Sequence, residues 1–433
     1  MGTHTKMIGS AYALPFALVT GLFFIWGLAN NMTDTLLAAF GRIMDMNSFQ
    51  TSLIQMAFYG AYFCFALPTA LFIRRFSYQK GIILGLALFA MGGFLFYPAG
   101  LNASYPFYLL AIYILAAGCS VLETTANPFI LAMGPEATAT RRLNLAQSFN
   151  PIGSIVGLLI SKHFILSSLA SDAARAGMDA SRLAENRQAE LFAVSAPYFA
   201  TGALMLLVML FFLFYPMPVI QDHSKGCFFE AVGRLFRNKQ YRYGVITQFF
   251  YVGAQICVWS YLIQYICVVR GISPEEASGY SVVSVVLFMG ARFVFTALMR
   301  FVSAKVLLLL AALMATACSL LVMTASGSVA VIALVGISFF MSLMFPTIYG
   351  LALDGVGDDA KLGASGLIMA ILGGALFPAL QGWIATHFQT QNPITGVVHE
   401  NFALSYVIPM GCFMVVTLYA LFVLKRKQSN TID

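Results

Sequence analysis

Residues 74–88, RRFSYQKGIILGLAL, join two long apolar stretches through a short basic loop. Residues 299–313, MRFVSAKVLLLLAAL, repeat this layout in the second half of the chain. Arg300 and Lys305 have the same spacing as Arg75 and Lys80. The repetition indicates an internal duplication, an arrangement found in membrane proteins built from parallel repeats. Short loops on one side of a membrane also collect basic residues without duplication, so both interpretations stay open.

The composition is that of a membrane protein. Of the 433 residues, 60% are hydrophobic and 9% are charged, whereas about 25% of the residues in soluble domains are charged. A membrane-spanning helix needs about 20 apolar residues, and strand signals are absent. We therefore predict an all-α membrane protein with twelve transmembrane helices. The predicted spans are residues 13–40, 52–73, 81–100, 105–133, 143–169, 194–217, 243–269, 277–299, 305–325, 328–353, 362–388 and 402–424.

The basic residues are unevenly divided between the predicted loops. If the N-terminus lies inside, most Lys and Arg residues fall on the inner side, including KRK at 425–427. Basic loops stay in the cytoplasm, so we predict a bacterial inner-membrane protein with both termini cytoplasmic. The formal net charge of +7 then reflects orientation, and nucleic acid is not expected as a partner.

Polar segments divide the chain into domains. We predict an N-terminal six-helix bundle at 1–217, a cytoplasmic linker at 218–242 and a C-terminal six-helix bundle at 243–433. Residues 170–193 carry both signs of charge and are expected to form a surface helix in an outer loop. The acidic residues of GVGDDAKLG, 355–363, are expected to be solvated.

Two carboxylates lie inside predicted spans, where an acidic side chain costs about 2.5–3.5 kcal/mol on insertion scales. Glu123 lies in VLETTANPF, 121–129, with Asn127 one turn later and Pro128 expected to distort the helix. Asp34 follows Asn30 by one turn. Ionisable groups in such positions usually face the bundle interior and mark a transport pathway.

Amides and aromatic residues follow the same pattern in two other spans. Asn144, Gln147 and Asn150 recur every three residues in span five and are expected on one side. Tyr251, Gln255 and Trp259 recur every four residues in span seven. Carboxylates and amides bind hydroxyl groups, and aromatic rings offer apolar faces to sugar C–H groups. A single amide in a span more often serves helix packing.

Arg292, inside span eight, either binds substrate or, as we favour, takes part in a cytoplasmic gate together with the loop residues Arg74, Arg75 and Arg300. The seven cysteines show no metal-ligand spacing, and P-loop, HExxH and GxSxG motifs are absent. We therefore expect no enzyme activity, no metal and no cofactor. A protonatable carboxylate inside the membrane would supply ion coupling.

Five segments resemble the L-fucose/proton symporter family of the major facilitator superfamily. They are NNMTD at 30–34, LETTANPF at 122–129, RLNLAQSFNPIG at 142–153, QFFYVGAQICVWSYL at 248–262 and FPTIYGLAL at 345–353. The resemblance implies two six-helix bundles related by a pseudo-two-fold axis, and alternating access. It implies that Asp34 and Glu123 are the essential carboxylates, that Gln147 and Asn150 are the span-five amides, and that Tyr251, Gln255 and Trp259 form the span-seven stripe.

We therefore predict a proton-coupled importer of a monosaccharide, L-fucose before others. Asp34 would load the proton and Glu123 would bind sugar hydroxyls, with Asn30, Asn31 and Asn127 beside them. The expected partners are a sugar, protons and the lipid bilayer, and the expected state is a monomer driven by the proton gradient. A sodium- or proton-coupled glucose/galactose transporter is the alternative, whereas a drug/proton antiporter would have a cavity poorer in amides.

Overall fold

The computed structural model describes residues 7–44, 48–165, 178–218, 228–388, 390–391 and 398–426. Helices make up nearly all of this part of the chain, because a bilayer offers no water to backbone groups and a helix bonds them internally. A two-residue antiparallel ladder pairs β1 (Thr390–Gln391) with β2 (Val398–His399). The sequence pattern did not predict this ladder, which is too short to change the all-α class.

The helices are numbered here in chain order. The first seven are α1 (Ala13–Ile43), α2 (Ser48–Arg75), α3 (Tyr78–Leu101), α4 (Tyr105–Ala132), α5 (Ala139–Gln147), α6 (Asn150–Ile160) and α7 (Ala180–Phe214). The next six are α8 (Phe228–Arg237), α9 (Lys239–Ser260), α10 (Leu262–Arg270), α11 (Pro274–Leu298), α12 (Ala304–Thr324) and α13 (Gly327–Met341). The last five are α14 (Met344–Ala352), α15 (Ala360–Met369), α16 (Gly373–His387), α17 (Phe402–Ser405) and α18 (Val407–Lys425).

The helices account for the predicted membrane spans. Among the described residues, ten helical segments are long and apolar enough to cross a membrane, and α9 with α10, bent by 45°, makes an eleventh. Within α1, residues Ala13–Ala29 form a shorter apolar helical segment, although α1 as a whole has 31 residues. Counting α1 as a span gives the twelve that the sequence predicts.

Side-chain caps fix where several spans begin. The Ser77 hydroxyl accepts a hydrogen bond from the backbone N–H of Lys80 at the start of α3. Ser303 caps α12 in the same way through the N–H of Val306. These serines lie in the two basic loops that recur in the two halves of the chain. Both loops therefore end in the same kind of N-terminal helix cap.

The described residues pack into two units. One unit contains the described residues of Ile8–Met133 and those from Phe149 to Pro218. In this unit α3 packs on α4 and α7, α2 packs on α4, and α1 packs on α6. The contact of α1 with α6 is very close, because a Cβ at Gly27 would overlap the carbonyl oxygen of Asn150 and one at Gly153 would overlap that of Phe24. Glycine is therefore needed on both helices.

The other unit contains Met7, Gly134–Ser148 and the described residues from Phe228 onward. In this unit α9 packs on α18, α16 and α14, while α12 packs on α18 and α13. The short helix α5 belongs here because it packs on α14 and α11. This grouping differs from the predicted bundle boundaries over Gly134–Ser148, and the bundles themselves stay a prediction.

Arg142 holds the chain at the start of α5. Its guanidinium is fully buried and donates hydrogen bonds to the carbonyl oxygens of Met7, Gly134 and Pro135 and to the hydroxyl of Thr138. A buried cation needs such acceptors to offset its lost hydration. One side chain therefore orders the turn between spans four and five and fixes Met7 beside it.

The linker prediction is refined by α8, a short amphipathic helix directly before span seven. Arg234 of α8 donates two hydrogen bonds, of 2.7 and 2.8 Å, to the carboxylate of Asp359. Asp359 is 8% exposed, so the prediction that the acidic residues of 355–363 are solvated is wrong for this residue. The hydrogen bonds to Asp359 raise the pKa of Arg234.

One further expectation needs correction. The predicted outer surface helix within 170–193 is, from Ala180 onward, the first part of α7 and continues without a break into span six. Span five is interrupted at Ser148 and Phe149, between α5 and α6. Pro151, near the start of α6, has no N–H to continue the hydrogen bonding of α5.

Candidate functional site

Glu123 lies in the middle of α4 and is half-buried. The hydroxyl of Tyr62, on α2, donates a hydrogen bond of 3.2 Å to its Oε1 atom. The Nε1–H of Trp26, on α1, donates in turn to the Tyr62 hydroxyl at 3.3 Å. Three helices of one unit therefore meet in a chain of hydrogen bonds that ends on the carboxylate.

Aromatic rings enclose this chain. Trp26 and Tyr62 are 2% and 1% exposed, whereas Glu123 keeps accessible surface. Trp26 stacks on Phe23 with ring centroids 5.2 Å apart, and Phe58 lies 5.4 Å from Tyr62. Hydrogen bonds in such surroundings are stronger than in water. The carboxylate is thus held from its buried side and open on the other.

The backbone of Tyr62 is also bound to α4. The hydroxyl of Ser120, less than one turn before Glu123, donates to the Tyr62 carbonyl oxygen at 3.2 Å. Contacts from both helices therefore fix the position of Tyr62 relative to Glu123.

Asn127 is fully buried one turn after Glu123. Pro128 lies inside α4, which stays helical as far as Ala132. The predicted distortion at Pro128 is therefore not seen as a break in the helix. The Thr125 hydroxyl bonds the carbonyl oxygen of Val121 in the same stretch.

Asp34, Asn30 and Asn31 belong to the backbone of α1, but their side chains lie outside the described residues. Their predicted roles in proton coupling and sugar binding stay predictions. Asn30 and Asp34 follow Trp26 in the chain at successive intervals of four residues within α1.

The span-five amides belong to two helices, Asn144 and Gln147 to α5 and Asn150 to α6. The Nδ2 atom of Asn150 donates to the carbonyl oxygen of Phe23 on α1, at 3.3 Å. Asn144 is buried and donates to the Thr140 carbonyl and the Thr347 hydroxyl. Gln147 is buried as well, at the end of α5. The common side predicted from the regular spacing of three stays a prediction.

The span-seven stripe divides into a supporting and an accessible part. Tyr251 is fully buried, and its hydroxyl donates to the carbonyl oxygen of Met341 at 2.8 Å. Gln255 and Trp259 keep accessible surface. The Trp259 indole donates to the Ser338 hydroxyl at 3.3 Å. In this conformation Tyr251 supports span ten, and Gln255 and Trp259 are open to contact.

Arg292 is buried in α11, with 4% exposure. Its Nε–H donates to the carbonyl oxygen of Ser342 at 2.7 Å, and its Nη1–H donates to that of Gln147 at 2.8 Å. The guanidinium also lies over the ring of Phe288, 4.6 Å from its centroid. Ser342 follows the last residue of α13 and Gln147 is the last of α5, so the cation binds backbone oxygens at two helix junctions.

The other predicted gating residues lie near helix ends. Arg74 is half-buried and Arg75 exposed in the last turn of α2. The Arg75 guanidinium lies 5.6 Å from the centroid of Phe76. Arg300 is exposed, two residues after the end of α11.

The sequence interpretation missed Trp26 and Tyr62. Trp26 precedes Asn30 by one helical turn, so the spacing used for Asp34 and Asn30 would have found it. Tyr62 lies in an aromatic stretch of α2 without an ionisable residue, and its role becomes visible only when α2 packs on α4. Within the described part of the chain, no group of three or more His, Cys, Asp or Glu residues could hold a metal ion.

Known proteins resemble this chain over most of its length. The Major Facilitator Superfamily model matches residues 16–377. An L-fucose-proton symporter of Haemophilus influenzae is 40% identical over 96% of this chain and 98% of its own length. A glucose/galactose transporter of Brucella abortus is 31% identical over 95% of this chain and 94% of its own.

A crystal structure of FucP, a major facilitator superfamily transporter, in the outward conformation superposes with a TM-score of 0.87. It is 36% identical to this chain and covers 97% of it and 100% of the FucP chain. The similarity therefore extends over nearly the whole fold.

The hydrogen bond between Tyr62 and Glu123 predicts a coupling in stability. We expect Tyr62→Phe and Glu123→Gln to be non-additive in a double-mutant cycle, with an interaction free energy of about 0.5–3 kcal/mol. The measurement is thermal unfolding of the four purified proteins in detergent. Tyr108→Phe is the matched control, because Tyr108 is a buried tyrosine whose hydroxyl bonds Ser195. Equal additivity of both tyrosine variants with Glu123→Gln would contradict the bond.

Proposed function

Because the chain belongs to the L-fucose/proton symporter family of the major facilitator superfamily, we propose that it imports L-fucose together with protons. It is a multi-pass membrane transporter and not an enzyme. The observation that carries the proposal is Glu123, a carboxylate inside a span that is bonded on one side and open on the other. Such a group both binds hydroxyls and changes its protonation state.

The hydrogen-bond chain suits a carboxylate that alternates between two states. The ionised carboxylate accepts hydrogen bonds only, whereas the protonated one also donates. Tyr62 donates to Glu123, so its hydroxyl stabilises the ionised form, and Trp26 fixes the direction of that donation. In our proposal Asp34 loads the proton and Glu123 links sugar binding to protonation.

The sugar site of the proposal combines amides and aromatic rings with these carboxylates. Gln255 and Trp259 keep accessible surface in the structure, which supports direct contact with the sugar. Tyr251 would act by holding span ten in place. The proposed sugar-binding residues are Asn30, Asn31, Asp34, Glu123, Asn127, Gln147, Asn150, Gln255 and Trp259, with Tyr251 as their support.

The proton gradient supplies the energy in the symporters that the chain resembles, and we propose the same here, without a cofactor. In this proposal a monomer in a bacterial inner membrane moves its two bundles, 1–217 and 243–433, on either side of the linker 218–242. Both termini are placed in the cytoplasm.

Glucose/galactose transport is the second candidate, because relatives of that name match most of the chain. Their identity of 30–31% is lower than the 40% and 37% of the L-fucose-proton symporters. The difference favours L-fucose.

We place Arg292 in the gate. It joins α11 to the end of α5 through the Gln147 carbonyl, and a contact of one guanidinium nitrogen with one oxygen can form and break during transport. Arg74, Arg75 and Arg300 are proposed to act with it from the loops.

The substrate is tested by counterflow in proteoliposomes. We expect labelled L-fucose to exchange with unlabelled L-fucose, because the family resemblance and the closer relatives favour this sugar. D-galactose, D-arabinose and D-glucose serve as competitors, with and without Na⁺ over a pH series. Competition by glucose alone, or uptake that requires Na⁺, would favour the second candidate.

The two carboxylates predict a loss of proton-driven uptake in whole cells. Asp34→Asn and Glu123→Gln should each reduce uptake at least about tenfold. Losing a hydrogen bond to a charged group costs about 1.5–3 kcal/mol, and about 1.4 kcal/mol corresponds to a factor of ten. Glu185→Gln, at an exposed carboxylate on α7, is the matched control and should transport normally. Unchanged uptake in both carboxylate variants would overturn the proposed mechanism.

Arg292→Lys tests the gate. Lysine keeps the charge but lacks the planar fork that reaches two carbonyl oxygens at once, so the maximal rate should fall about tenfold or more, as expected for losing one charged hydrogen bond. Equilibrium binding of labelled L-fucose should persist. Arg270→Lys, whose side chain bonds Ser328 at an exposed position, is the control. Loss of binding instead of rate would assign Arg292 to the sugar site.

A further inference from the structure

The short helix α8 has an apolar face that the rest of the described chain does not cover. Phe229 is 78% exposed and Phe236 is 65% exposed. They are seven residues apart, which places them on one side of a helix. Ala231 and Leu235 are buried on the opposite side, at 0% and 5% exposure. The helix therefore has two apolar sides. One packs against the protein, and the other faces outward.

The outward direction of the two phenylalanines is fixed by the contacts on the inner side. Arg234 bonds both carboxylate oxygens of Asp359 at 2.7 and 2.8 Å. Leu235 packs beside Gly363, where an added Cβ would lie 3.4 Å from the leucine side chain. An ion pair with two hydrogen bonds and a buried leucine hold α8 in one rotation about its axis. The exposure of Phe229 and Phe236 thus belongs to the packed structure.

Three exposed cations follow Phe236 in the chain, and one exposed carboxylate, Glu230, follows Phe229. Arg237 ends α8, and Lys239 and Arg242 lie in the first turn of α9. The Arg242 guanidinium lies 5.3 Å from the ring centroid of Tyr243, which is 38% exposed. Arg237, Lys239 and Arg242 are all positively charged. Asp359 does not pair with them, because it binds Arg234.

The position of α8 in the chain indicates what covers it. Asn238 separates α8 from α9, and its side chain caps α9 by accepting from Gln240 and Tyr241. Since α9 and α10 together form a membrane span, α8 is attached directly at a membrane surface. Exposed phenylalanine with flanking Arg and Lys is the composition of helices that lie in the headgroup region. Anionic headgroups complement the three cations.

We infer that α8 and the first turn of α9 form a docking surface for anionic phospholipid in the leaflet where span seven begins. Phe229 and Phe236 enter the boundary between headgroups and acyl chains. Arg237, Lys239 and Arg242 bind headgroup phosphates. Because Arg234 and Asp359 join α8 to the start of α15, the lipid contact is transmitted to span eleven as well as to span seven.

The test uses the full chain in nanodiscs of phosphatidylcholine alone and of phosphatidylcholine mixed with phosphatidylglycerol. Amide hydrogen exchange of residues 228–237 is the readout, because it reports the local stability of α8. We expect exchange to be slower by about fivefold or more in the discs with phosphatidylglycerol, because basic residues near an anionic membrane surface strengthen binding to it. Raising the salt concentration should reduce this difference, because exposed charges are screened.

Variants separate the headgroup contact from general surface charge. The triple variant Arg237→Gln, Lys239→Gln, Arg242→Gln should lose the phosphatidylglycerol effect, and the pair Phe229→Ser, Phe236→Ser should reduce it. The control Arg182→Gln, Arg187→Gln removes exposed cations from α7 and should keep it. Equal exchange of the wild-type protein in both kinds of disc would overturn the inference. So would an effect that the triple variant keeps or that the control variant loses.

Discussion

A backbone carbonyl freed inside a bilayer has no water to bond, so a neighbouring side chain must donate to it. Two interrupted spans among the described residues illustrate this constraint. Span ten breaks after Met341, and the carbonyl oxygens of Met341 and Ser342 are taken by Tyr251 and Arg292. Span five breaks after Gln147, whose carbonyl is taken by Arg292 as well. Polar residues that look like substrate ligands in the sequence can therefore be hydrogen-bond donors to backbone carbonyl oxygens.

The close approach of helices sets the geometry around Glu123. Gly27 and Gly153 let α1 and α6 touch backbone to backbone, and Asn150 and Ser154 of α6 then donate to α1 carbonyls. This contact positions the turn of α1 that carries Trp26. Trp26 in turn bonds Tyr62, and Tyr62 bonds Glu123. Two glycines far from any charge thus contribute to the environment of a carboxylate, because helix spacing decides which side chains can meet.

Predictions from sequence were most accurate where placing a residue costs free energy and few arrangements can offset that cost. An acidic residue in a span is costly, and Glu123 indeed accepts a hydrogen bond from the buried Tyr62. Predictions from spacing were less secure. The three-residue spacing of Asn144, Gln147 and Asn150 did not reveal that two turn residues, Ser148 and Phe149, separate α5 from α6. Asp359 was expected in water because its segment is rich in glycine and acid, yet Arg234, more than a hundred positions earlier in the chain, buries it. No local pattern contains such a partner.

Length, apolar content and the placement of basic residues determined that this chain is a bundle of membrane helices, because the bilayer leaves few other solutions for such a composition. Two carboxylates inside spans indicated a coupled pathway for the same reason. Only the tertiary structure decided which side chains surround Glu123, that Arg292 binds helix ends, and that Tyr251 supports span ten. Those contacts join helices that are distant in sequence, and their partners are selected by packing, on which local periodicity carries no information.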